Sequence, residues 1–331
     1  MEALTAIGFD VGGTRIKAGV VRYDATHRIA ELADVVSVET ISLSSIQEFV
    51  ALIGKLINSF RHSFPGIRAV GVGFPAIVDW HKGIPAHPPN IPWWGQERFP
   101  LRDVLIEQLG MPVSLDNDAN VAAYAETILG YGQQWSSFLF VTLGTGVGGA
   151  IVLGNRLYRG ERGCAGELGH IIVDIAAPLE SPTFRSGILE RAVGRIGIIE
   201  RARQKCQLYP DSALLTYGQS LDVEHIGKEA QHGDCAAIET LTETAHILGA
   251  GIASALAVVG LHRVVVAGGI ANLPEPFFDE LQATLRQRAL PPIAAEVAVV
   301  RSQLGSFVGV IGAALQVLAE SQGNGIFETC C

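Results

Sequence analysis

The chain has 331 residues, 48% of them hydrophobic, enough for two domains that each bury a core. A formal net charge of −9 gives no electrostatic footprint for nucleic acid. The five cysteines fall in no CxxC or CxC spacing, so neither a zinc knuckle nor a disulfide framework is indicated, and a reducing cytoplasm is the expected compartment.

Residues Met1–Ala6 lack the basic start and apolar run of a secretory signal. No membrane span is expected, because Ser136–Gly154 is broken by glycines and Ile247–Leu261 is shorter than the ~20 apolar residues a bilayer requires. Thr5–Val11 and Ile16–Val21 read as paired strands around the glycine turn in IGFDVGGTRIKAGVV. Ser45 with Glu48 three residues on makes a capping box before Ile46, Phe49, Val50, Ile53, Leu56, Ile57 and Phe60, which recur at helical spacing. Arg68–Phe74 is a buried strand ending at Pro75, and Pro85–Pro100, with PPNIPWWG, is a loop. Leu101–Leu109 is a short helix closed by Gly110, and Val113–Leu115 a strand that runs into DNDAN at Asp116–Asn120. A helix follows to Gly130.

Val141–His170 holds a second glycine hairpin, LGTGVGG, and then GELGH. Beyond it come a strand at Ile171–Val173, a loop at Pro178–Gly187 and a helix over Ile188–Gln204 carrying Glu190. Asp234 caps a long small-residue helix through Val259, and RVVVA at Arg263–Ala267 is a strand entering Gly268-Gly269. A helix at Phe277–Arg288, a strand at Val297–Val300 and a helix at Phe307–Ala319 complete an alternation that predicts an α/β fold in two lobes, with the hinge near Asp118.

Two glycine hairpins in halves of similar size suggest a duplicated architecture. Backbone N–H groups fanned out at such turns make a concave anion site, which suits phosphate. Gly144–Gly149 also matches GxGxxG, but AIVLG follows where a dinucleotide fingerprint requires a helix, so that reading is rejected. GxxxxGK[ST], GxSxG and HExxH are absent. Asp10, beside Gly12-Gly13-Thr14, is either a turn-former or a magnesium-facing carboxylate, since magnesium takes one or two carboxylates plus waters and phosphates. Any one of Asp116, Asn117 and Asp118 could be a helix N-cap. Three polar residues with Asn120 exceed that need, and a carboxylate there could accept a hydroxyl proton.

DVGGT at Asp10–Thr14, PN at Pro89–Asn90, DNDAN, LGTGVGG at Leu143–Gly149, GELGH at Gly166–His170 and AGG at Ala267–Gly269 together resemble the ROK family of sugar kinases, in order and over nearly the whole chain. The resemblance implies the two-lobed actin-like, hexokinase-type ATPase fold, a ribonuclease H-like duplication with a central cleft. It implies a first lobe of residues 1–117 joined by a C-terminal helix at 306–331, and a second lobe of residues 118–305. Position by position, Asp118 corresponds to the family's catalytic base. Asn90, Asn117, Glu167, His170 and Glu190 match its sugar-hydroxyl ligands. Asp10 corresponds to the Mg²⁺-facing carboxylate, and Gly12, Gly13, Thr14, Gly144, Thr145 and Gly146 to the phosphate turns. Gly268 and Gly269 correspond to the nucleotide side.

The implied activity is ATP-dependent phosphorylation of a hexose, with glucose to glucose 6-phosphate leading. Fructose, mannose, N-acetylglucosamine and N-acetylmannosamine remain as acceptors, polyphosphate as donor, and a non-catalytic sugar sensor as the rival from another class. A homodimer is the expected assembly. Many family members hold a structural zinc with the His of GELGH and a cysteine cluster after it. Here IIVDIAAPLESPTFRSGIL has no cysteine, so no zinc is expected. Ala76 after Pro75 also departs from the family's usual glycine.

Overall fold

In the computed structural model, residues 3–40, 42–86, 88–89, 91–95, 98–178 and 186–321 are described. In chain order the elements are strands β1 (Leu4–Val11), β2 (Arg15–Asp24) and β3 (Ile29–Glu39), helix α1 (Ile46–Ser63), and strands β4 (Val70–Phe74), β5 (Ile77–Asp79) and β6 (Ile84–Ala86). Helix α2 (Leu101–Leu109), strand β7 (Val113–Asn117) and helix α3 (Asp118–Leu129) follow, then β8 (Phe138–Leu143), β9 (Val147–Leu153) and β10 (Arg156–Tyr158). Helices α4 (Leu189–Val193), α5 (Arg195–Leu208), α6 (Val223–Gln231) and α7 (Cys235–Val259) lead to β11 (Arg263–Ala267). The chain closes with α8 (Glu275–Arg288), α9 (Pro291–Glu296), β12 (Ala298–Arg301) and α10 (Val308–Ser321).

The chain divides into two units. The first comprises the chain up to Ser136, Ala150–Ala165 and the chain from Ser302 on; the second comprises Ser137–Gly149 and Gly166–Arg301. Two five-stranded sheets repeat one topology, β3-β2-β1-β4-β7 and β10-β9-β8-β11-β12. In the first, β1 pairs antiparallel with β2 and parallel with β4, which pairs parallel with β7. In the second, β8 and β12 both run parallel to β11, and β9 and β10 form an antiparallel hairpin. This is the duplicated, actin-like α/β fold of the hexokinase type.

Local sequence explains how the first unit is held. Ser45 caps α1 by accepting from Glu48 N, but the Glu48 carboxylate turns to the backbone N–H and hydroxyl of Ser44, so the expected box closes one residue early. Phe49, Phe74 and Trp94 are fully buried, with Phe74 and Trp94 centroids 4.9 Å apart. The proline-rich loop is thereby anchored in the core by its second tryptophan. Helix α10 buries Val310, Ala314, Val317 and Leu318 against Ala6, Val21 and Ala69. It lies so close to the sheet that a Cβ at Gly8 would stand 1.8 Å from the Val310 carbonyl oxygen, which only glycine permits.

In the second unit α7 runs 25 residues, and by length and composition it is the one helix among the described residues able to cross a membrane. It buries Leu241, Leu248, Ile252 and Leu256, and packs on α8, α5 and α6. Two expectations change here. Ile171–Val173 forms only an isolated bridge, Ile172 to Ile188, in place of a strand. The helix expected over Ile188–Gln204 breaks at Gly194, where a Cβ would sit 2.7 Å from Glu190 O and 3.0 Å from Thr145 O. Strand β3 and helix α6 were not expected; β3 alternates weakly because it is an edge strand with both faces partly exposed.

Candidate functional site

In the first unit, Asp10, Gly73 and Asp116 form one row across β1, β4 and β7 at the carboxyl ends of the parallel strands. That edge is where open α/β sheets bind ligands. The turn after β1 closes through Gly12 N donating to Arg15 O at 2.9 Å. Thr40, buried at the end of β3, braces it twice: its hydroxyl donates to Gly12 O at 2.8 Å and its N–H to Thr14 O at 2.9 Å. Asp10 faces Lys17 across the β1–β2 ladder. Burial pushes its carboxyl above the usual carboxylate range, and Lys17 opposes that shift. A lone carboxylate at a phosphate turn is the kind of group that would hold a hydrated Mg²⁺ whose other ligands are phosphate and water. Among the described residues no group of three or more His, Cys, Asp or Glu side chains could hold a metal, so protein ligands alone would not retain it.

At the β7–α3 junction three neighbouring residues take different work. Asn117 is the N-cap of α3: its Oδ1 accepts from Ala119 N at 2.8 Å and Asn120 N at 3.2 Å, and its Nδ2 donates to Ala76 O at 3.1 Å. Asp116 is 1% exposed and receives five donors. Its Oδ2 accepts from Arg159 Nε at 2.8 Å, Arg159 Nη2 at 2.6 Å and Gln316 Nε2 at 3.2 Å. Its Oδ1 accepts from Asn117 N at 2.8 Å and Asn120 Nδ2 at 2.9 Å. A carboxylate so enclosed is a scaffold, and breaking a buried pair of this kind costs about 3–5 kcal/mol. Asp118, half-buried, opens α3 and accepts from Ala119 N at 2.9 Å. Asn90 lies outside the described residues, as does most of the expected loop after Pro178.

In the second unit the turn after β8 closes through Gly144 N to Gly146 O at 3.0 Å, and Arg195 N donates to Gly144 O at 3.1 Å. Glu190, in the first turn of α4, accepts from Val147 N at 3.0 Å. A Cβ at Gly146 would stand 2.1 Å from that carboxylate, so this glycine admits a side chain to the turn. Gly166, with φ of +88°, starts the GELGH segment, and a Cβ on Gly149 would meet its carbonyl oxygen at 2.5 Å. His170 Nε2 lies 3.9 Å from Glu167 Oε2. Burial raises the Glu167 carboxyl above its ordinary range; His170 opposes the shift and Glu190 adds to it. Glu167, His170 and Glu190 are thus brought together with the Gly144–Gly146 turn.

The segments after β8 and β11 leave the ends of adjacent parallel strands. Gly268 has φ of +92°, and a Cβ there would be 2.2 Å from Leu143 O, a position only glycine fills. A cavity of about 580 Å³ opens beside them, lined by Gly144, Thr145, Gly269 and Asn272 together with Arg195, Asp222 and Lys228. Sequence reasoning missed Asn272 and the last three. Arg195 holds Asp222 in a fork, Nε to Oδ1 at 2.8 Å and Nη2 to Oδ2 at 2.7 Å, which lowers the Asp222 pKa. The signal present was a cap: Asp222 and His225 form a capping box at the start of α6.

The chain matches the ROK family over residues 6–320 and belongs to that family. It is 30% identical over 317 residues to a glucokinase from Streptomyces coelicolor, covering 93% of this chain and 96% of the relative. To an N-acetyl-D-glucosamine kinase from Histophilus somni it is 28% identical over 319 residues, covering 94% and 98%. The crystal structure of a ROK family glucokinase from Streptomyces griseus in complex with glucose and AMPPNP superposes with a TM-score of 0.79 at 30% identity, covering 94% of this chain and 98% of that one.

Proposed function

We propose that the protein transfers the γ-phosphoryl group of ATP to a hexose hydroxyl, with the 6-OH of glucose as the preferred acceptor. The observation that carries this reading is the division of work at the β7–α3 junction. Asp116 is saturated by buried donors and Asn117 performs the capping, while Asp118, half-buried at the start of α3, is the less enclosed of the two carboxylates at the end of β7. In this reading Asp118 accepts the hydroxyl proton as the oxygen attacks phosphorus in line. Asn117, Glu167, His170 and Glu190, with Asn90, bind the other sugar hydroxyls. Gly13, Thr14, Thr145 and Gly146 present backbone N–H groups to the phosphates, on turns that the Gly12 and Gly144 N–H groups close. A hydrated magnesium ion at Asp10 would offset phosphate charge.

ATP is favoured over polyphosphate because the cavity beside Gly144, Thr145 and Gly269 has the size of a nucleoside site. Glucose is favoured by the two glucokinase relatives, one of them with glucose bound. N-acetylglucosamine is the acceptor to test against it. The test is a coupled assay of glucose, fructose, mannose, N-acetylglucosamine and N-acetylmannosamine, each with ATP and with polyphosphate. The highest kcat/KM is expected for glucose with ATP. A higher value for another sugar overturns the glucose assignment, and absence of turnover on every pair overturns the kinase reading in favour of a sugar sensor.

A further inference from the structure

Arg159 directly follows β10 and is 6% exposed. Its guanidinium stacks over the Trp80 ring at 5.0 Å and grips Asp116 through Nε and Nη2. Asp116 spends its other oxygen on Asn117 N and Asn120 Nδ2, the positions on either side of Asp118. Asn120 and Gln316 both turn their amide nitrogens to Asp116, and each leaves its own buried carbonyl oxygen without a partner among the described residues. Five donors thus converge on the Asp116 carboxylate and hold it in one place.

We propose that Arg159 is a positioning residue for Asp118: through Asp116 it fixes the first turn of α3, and with it the direction of the Asp118 carboxylate. This rests on the kinase reading above. Arginine is suited to the task because its planar fork sets orientation as well as distance, whereas lysine supplies a point charge. Its main-chain oxygen also accepts from Ala165 N at 3.1 Å, closing the loop that leads on to Glu167.

The experiment compares wild type, Arg159→Lys and the neutral double variant Asp116→Asn/Arg159→Gln, which leaves no uncompensated buried charge. Wild-type turnover on the hexose panel comes first; its absence sinks the kinase reading, and this inference with it, before any variant is made. With turnover established, kcat per folded molecule is measured together with the KM for ATP, folding being followed by circular dichroism. A misplacement of ~1 Å can cost ~10²-fold, so kcat is expected to fall by about 10- to 100-fold with the ATP KM nearly unchanged. A merely structural role lowers the melting temperature and leaves kcat per folded molecule alone. A folded variant within about twofold of wild-type kcat overturns the inference while leaving the kinase reading intact. Failure of both variants to fold assigns the pair to the scaffold and overturns it as well.

Discussion

The two units present the same strand order and load the ends of those strands differently. In the first, the β7–α3 junction is finished before any ligand arrives: Asp116 has five donors and Asn117 satisfies two N–H groups of α3. In the second, burial and the nearby Glu190 carboxylate hold the Glu167 carboxyl above its ordinary range, and the group opposing that shift is a His170 nitrogen 3.9 Å away on a half-exposed ring. One corner is pre-organised, and the other holds acceptor charge that hydroxyl donors can answer. On the proposed reading, the first unit contributes the base together with Asn90 and Asn117, and the second contributes the sugar-binding carboxylates and His170.

Asp118→Asn is the sharpest test and has the largest expected effect. The cap belongs to Asn117, and asparagine can still accept from Ala119 N, so fold and sugar binding should persist. Loss of a general base costs ~10²–10⁴ in kcat, or about 3–5.5 kcal/mol of barrier. Calorimetric sugar titration and turnover on one preparation check it. Turnover within a few-fold of wild type removes Asp118 from the mechanism, and the burial of Asp116 bars it as a substitute. Next in size is Glu167→Gln in the second unit. Losing a charged hydrogen bond to a sugar hydroxyl costs roughly 1.5–3 kcal/mol, so the sugar Kd should rise about 10- to 150-fold. ATP binding without sugar should stay level. An unchanged sugar Kd withdraws Glu167 from the ligand set.

How much of this was legible in sequence depends on the range of the interaction. Local signals held: the α3 start within DNDAN, its stop at Gly130, the α7 cap at Asp234 and both glycine hairpins. Long-range partners were not legible. Arg159 reaches Asp116 across 43 residues, and Gln316 reaches it across 200, with no periodicity to announce either. The purpose of the hairpin glycines was likewise hidden. Gly12 and Gly146 show no left-handed backbone; each is small because a carbonyl or a carboxylate occupies the space of its Cβ. The Glu190 contact with Val147 N, 43 residues apart, explains Gly146 only once the fold is known.

Asn117→Ala tests the finished corner from its structural side. Removing the cap should cost about 1 kcal/mol of stability, a fall of ~2–4 °C in Tm, whatever it does to sugar binding. An unshifted melting curve would mean that α3 does not depend on this cap, and the contrast between the corners would lose its first half.

The smallest expected effect concerns the second half. Burial holds the Glu167 carboxyl above its ordinary value of 4.5, so ionising it is harder in the folded protein than in the unfolded chain. Between those two values the native state binds more protons, and stability falls as pH rises through the folded pKa. Glutamine carries no such charge. In the absence of sugar, Glu167→Gln should therefore melt slightly above wild type at pH 7–8, and the two curves should converge toward pH 4, where the wild-type carboxyl is protonated in both states. The sign opposes the loss of sugar affinity in the same variant, which separates a functional carboxylate from a structural one. Thermal melts across that range decide it: a variant that is less stable at neutral pH would place Glu167 among the supports of its turn, like Asp116 in the other unit.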